Sequence, residues 1–82
     1  MQNKRILITG ASKGLGAVAA QAFAKRGACL ALIARSEDKL ERVRQSCKDP
    51  ERHVIIPVDL TKMNAIEPAI QKVQAFLGGI DV

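Results

Sequence analysis

The chain has 82 residues, with 13 Lys and Arg against 8 Asp and Glu and a net charge of +5. That length fits one domain at most, or part of one, and an apolar content of 48% excludes a disordered tail. The longest apolar run, Ala28 to Ala34, is far shorter than the roughly 20 residues a membrane span needs.

Ile6-Leu7-Ile8-Thr9 is a short apolar run closed by Gly10, and it reads as a buried strand. A glycine-rich stretch follows, Gly10-Ala-Ser-Lys-Gly-Leu-Gly16, and then a helical pattern. Its spacing predicts an inward face of Leu15, Val18, Ala19, Ala22, Phe23 and Arg26. Gly27 stops this helix, with Lys25 and Arg26 in its last turn.

Cys29 to Ala34 is a second buried strand. Ser36 is the natural N-cap of the next helix, with Glu37 and Asp38 in the first turn and a stripe of Leu40, Val43 and Cys47. Lys48 to Arg52 is a polar turn. His53 to Val58 is the third strand, with His53 placed at the surface or strand edge. Pro57 cannot donate to a ladder, so it belongs at the strand's end or beside an unpaired neighbour. The third helix follows Asp59-Leu60-Thr61, and its stripe is Ile66, Ile70, Val73, Leu77 and Ile80. Pro68 inside that pattern predicts a start at Pro68 or a kink near Asn64. Gly78-Gly79 ends it, and Ile80-Asp81-Val82 opens a fourth strand.

The alternation predicts an α/β fold: the first half of a doubly wound parallel sheet, β-α-β-α-β-α plus the start of a fourth strand. On this reading residues 1–82 are part of one domain, cut at that strand. An apolar sheet edge left open there predicts marginal stability.

A strand that turns straight into a helix aims backbone N–H groups and the positive end of a dipole at one spot, which suits a pyrophosphate. Gly10 allows the tight exit, Gly14 lets a ligand approach the backbone, and Gly16 lets the helix lie close to the sheet. The spacing is neither Gly-x-Gly-x-x-Gly nor a Walker loop. Thr9-Gly-Ala-Ser-Lys-Gly-Leu-Gly16 resembles the cofactor loop of the short-chain dehydrogenases/reductases. Val58-Asp59-Leu60-Thr61 resembles that family's marker after the third strand, and Gly79-Ile80-Asp81-Val82 its lead into the fourth.

The resemblance implies a Rossmann-type fold and a dinucleotide cofactor. Ser12, Lys13, Leu15 and the three glycines would line phosphates and ribose. Asp59 and the backbone at Leu60 would hold the adenine; the plainer role for Asp59 is capping a turn. A fold of this type that prefers NAD places an acid at the end of the second strand. Here Ala34 stands there, and Arg35 follows. Arg35, Lys13 and the Ser36 hydroxyl would instead hold the 2′-phosphate of NADP(H).

The family's chemistry rests on a Tyr, a Lys four residues later and an upstream Ser, and the chain has no Tyr. No catalytic residue is therefore assigned, and turnover by these residues alone is not expected. A complete member would act on a carbonyl or alcohol, in the cytoplasm, as a homo-oligomer. The alternative is a non-catalytic nucleotide-binding or interaction module. The scattered Lys and Arg, without interleaved aromatics, argue against nucleic acid. Cys29 and Cys47 have no metal spacing and read as reduced, packed thiols.

Overall fold

A computed structural model describes residues 2–82. Three parallel strands, β1 (Arg5–Thr9), β2 (Cys29–Ala34) and β3 (Val54–Pro57), lie in the order β1-β2-β3. The register pairs Arg5 with Cys29 and Thr9 with Ile33, then Ala31 with Val54 and Ala34 with Pro57. The helices are α1 (Gly14–Lys25), α2 (Glu37–Ser46) and α3 (Met63–Leu77).

The central strand decides the layering. Successive side chains of β2 point to opposite faces. Leu30 and Leu32 join Ile6, Ala20, Ala24, Leu40 and Val43 in one core. Ala31 and Ile33 join Ile56, Ala69 and Val73 in the other. Helices α1 and α2 therefore cover one face and α3 the other, which is the doubly wound arrangement. Residues at the chain's end extend the sheet past β1. The Leu7 amide donates to the Val82 carbonyl at 2.9 Å, and the Asp81 and Val82 amides donate to the Arg5 carbonyl at 2.7 and 3.1 Å. Both carboxylate oxygens of Asp81 take the Arg5 guanidinium, at 3.0 and 3.1 Å, and this pairing holds the Asp81 carboxyl down at about 2. Asp81 and Val82, where a fourth strand is expected, bond to β1 without forming a strand.

Three expectations are corrected. The buried face of α1 is Ala20 and Ala24, with Ala17 and Phe23 packed partly against them. Leu15 is 88% exposed and Val18 61%; Ala22 and Arg26 are exposed too. The backbone contact at Gly16 sets the rotation of this helix and brings its small residues onto the sheet. Helix α3 starts at Met63 and runs through Pro68. Pro68 lacks the amide that would reach the Asn64 carbonyl, and because Asn64 is exposed, water can serve that carbonyl instead. Its inward side is Ala69 and Val73, while Ile66 is 40% exposed.

The third correction concerns His53, which is only 3% exposed. Its Nδ1 accepts the Leu30 amide at 3.1 Å, and its Nε2 lies 2.8 Å from the Lys48 carbonyl. A backbone amide can only donate and a carbonyl only accept. The ring is therefore the neutral tautomer with its proton on Nε2. The imidazole caps the β2 ladder where β3 has no residue to offer. Burial is the main cause that pushes it below its ordinary value of 6.5. The unfolded chain then binds the proton first as pH falls, so this contribution is present above 6.5 and lost as pH drops below it. His53 is the sole histidine. We expect stability to fall from pH 6.5 toward 5 with a slope of at most about 1.4 kcal/mol per unit, the value for one proton. Urea midpoints across that range check it. In His53→Asn the slope disappears; its persistence would assign the proton elsewhere.

Candidate functional site

The C-terminal ends of the three strands open into one cleft of about 620 Å³. The segment after each strand supplies one wall. Gly10, Ser12 and Lys13 follow β1, Arg35 and Ser36 follow β2, and Asp59 and Leu60 follow β3. Crevices outside the carboxyl ends of parallel strands are where open α/β sheets take ligands.

The loop after β1 is anchored at Ala11, which is fully buried and donates its amide to the Ile33 carbonyl at 3.1 Å. Gly10 turns the chain with φ of 62°, a value other residues rarely adopt. Gly16 lies against the same loop. A Cβ there would overlap the Gly10 carbonyl oxygen and stand 2.9 Å from its carbon. The helix is thus held against the turn it leaves.

The start of α1 lacks a cap. Lys13 occupies the N-cap position, no side chain bonds the first turn, and no acid lies in it. The first bond into the helix is from Ala17 to Lys13, so the amides of Gly14, Leu15 and Gly16 find no acceptor among the described residues. Such amides, with the helix dipole behind them, favour an anion. By contrast, α2 is capped as expected, with Ser36 Oγ accepting from the Lys39 amide at 3.4 Å.

Asp59 has the plainer role as well as a place in the cleft. Its Oδ1 accepts the Thr61 hydroxyl at 2.6 Å and the Thr61 amide at 3.0 Å. The hydroxyl first, then the amide, hold its carboxyl below the usual range. The carboxylate is thereby fixed and ionised, and Oδ2 carries neither bond.

Of the ten residues expected at the site, seven line this cleft; Gly14, Leu15 and Gly16 do not. Gly16 acts through packing, and Leu15 is exposed beside the helix start. Lys39 and Thr61 also line it and were not anticipated. Thr61 is legible as the last residue of the Val58-Asp59-Leu60-Thr61 marker. Lys39 has only its position, one turn beyond Arg35.

A family described as short chain dehydrogenase matches residues 4–82. A fatty acyl-CoA reductase of Mycobacterium tuberculosis is 37% identical over 83 residues, covering 100% of this chain and 28% of the relative. A 3-ketoacyl-(acyl-carrier-protein) reductase from Brucella melitensis, solved with NADH, superposes with a TM-score of 0.89 at 30% identity, over 98% of this chain and 32% of that one. A metagenomic short-chain oxidoreductase solved with NADP gives 0.87 at 29%, over 100% and 38%. The chain thus spans less than a third of the length of the first curated relatives it matches.

Proposed function

The chain belongs to the short-chain dehydrogenase family, and from that premise we propose that its cleft binds NADP(H) for a hydride transfer with a carbonyl or alcohol in the complete protein. The observation that carries the reading is the uncapped, acid-free start of α1 at the mouth of a cleft that also receives Lys13, Arg35 and Asp59. The donor set fits a dinucleotide: free amides for the pyrophosphate, a fixed carboxylate for the adenine amine, and cations at the end of β2. When bound, the nicotinamide supplies the hydride chemistry.

The chain's own residues bind and orient. Gly10, Gly14 and Gly16 bring the amides of the first turn to the pyrophosphate, and Ser12 and Leu15 flank it. Asp59 Oδ2 accepts from the adenine amine, with the Leu60 backbone beside it. Arg35, Lys13 and the Ser36 hydroxyl hold the 2′-phosphate. Residues 1–82 serve as the first part of the cofactor domain. Without a Tyr they bind the dinucleotide but do not turn it over. The complete protein works in the cytoplasm as a homo-oligomer.

A thermal melt of the chain, alone and with NADP⁺ or NAD⁺, tests this. A ligand that binds only the folded form stabilises it by about 2.7 kcal/mol at a hundredfold excess over its Kd. The midpoint should rise with both nucleotides and more with NADP⁺ at equal concentration. An equal rise would defeat the NADP(H) preference, and no rise would defeat the cofactor reading.

A further inference from the structure

A second cavity, of about 410 Å³, lies between α1 and α2 and shares Ser12, Lys13 and Lys39 with the cleft. Arg42, one turn further along α2, lines it too. The third cation of α2 is placed differently from Lys39 and Arg42. Arg44 is held by Glu41 at 2.6 Å and donates to the Pro50 carbonyl at 2.9 Å. Lys13, Arg35, Lys39 and Arg42 have no carboxylate partner among the described residues, although Glu37 and Asp38 stand in the first turn of α2. Four unpaired cations thus follow one path, from the glycine loop across the end of β2 and along α2. Asp59 is the one carboxylate lining the cleft with Lys13, Arg35 and Lys39, so the cations outnumber it; like charges brought together raise the local potential, and an anion relieves it.

Resting on the NADP(H) reading, we propose that Lys39 is a third determinant of 2′-phosphate recognition, with Arg42 reinforcing it from the groove. Lys39 belongs to both cavities, so its ammonium can reach a phosphate placed between Lys13 and Arg35. Its backbone amide is already tied to the Ser36 cap, which fixes the base of the side chain at the cleft rim. Arg42 is one turn away, and its contribution is through the field.

The test compares adenosine 2′,5′-bisphosphate with adenosine 5′-monophosphate by calorimetry on the 82-residue chain. These probes share everything except the 2′-phosphate and need no turnover. Both lysine and arginine are exposed and unpaired, so Lys39→Gln and Arg42→Gln should fold, and melts without ligand confirm it. Lys39→Gln should weaken the bisphosphate about 5- to 10-fold, and Arg42→Gln about twofold, in the range of exposed to charge-assisted ion pairs. The monophosphate should be unchanged. If Arg35→Gln and Lys13→Gln weaken the bisphosphate while Lys39→Gln does not, the inference fails and the NADP(H) reading stands. If the unaltered chain binds both probes equally, both fail. Equal loss of the two probes in Lys39→Gln also overturns it, because the lysine would then serve the shared part.

Discussion

Gly16→Ala should cost the chain about 3 kcal/mol or more, and Gly16→Val should leave no cooperative urea transition. The added methyl group would meet backbone, not a side chain that can swing away: the Gly10 carbonyl, with its carbon at 2.9 Å, and the Ala11 Cα at 3.1 Å. Ala11 cannot retreat, since it is fully buried and its amide is bonded to β2. The remaining route is for α1 to lift, which unpacks Ala20 and Ala24 from the sheet. Overpacking that side chains can absorb costs about 1–3 kcal/mol; this site sits at the top of that range because nothing nearby is free to move. Gly14→Ala is the matched control. It has no atom within 4 Å and only a φ of +61° against it, so about 1–2 kcal/mol is expected. Urea midpoints of the two variants decide the matter. A Gly16→Ala midpoint no lower than that of Gly14→Ala would mean that the contact is soft.

The same contact explains why some elements were legible from the residues and others were not. Strand β2 and the Ser36 cap rest on local signals, an apolar run of strand length and a hydroxyl before two acids, and both stand where expected. The inward face of α1 depends on a contact between two glycines. The largest apolar side chains, Leu15 and Val18, lie on a different, exposed face of the helix. Helix α3 follows Thr61 as its pattern indicates, but it does not begin at Pro68, because a proline breaks a helix only where its missing hydrogen bond matters, and beside an exposed Asn64 it does not. Sequence pattern places His53 at the surface or strand edge, because no periodicity reports a side chain that stands in for a strand's next carbonyl. At the site, the glycine loop and the Asp59 turn carry motifs. Lys39 carries none, and only the meeting of α2 with the cleft brings it in.

Arg35→Asp is the sharpest test of how the cleft chooses its ligand. We expect NADP⁺ affinity to fall about 100-fold at neutral pH, with NAD⁺ unchanged or slightly tighter. Arg35 is the first residue past Ala34, exposed, and without a carboxylate partner among the described residues. Its guanidinium is not already spent on the protein. Losing one charge-assisted contact costs about 1.5–3 kcal/mol, roughly 10- to 150-fold, and a carboxylate in its place adds repulsion toward a 2′-phosphate. The same carboxylate can accept from ribose hydroxyls, as an acid at this strand end does in NAD-preferring sheets. Asp59 also responds, because the Arg35 charge helps hold its carboxyl low. Removing that charge raises it, but the Thr61 hydroxyl and amide are the larger causes and remain, so the adenine acceptor stays ionised at pH 7. The two nucleotides should therefore part company. If calorimetry shows both weakened by the same factor, Arg35 acts on what they share, as a guanidinium stacked on adenine would, and the preference must come from Lys13 and its neighbours.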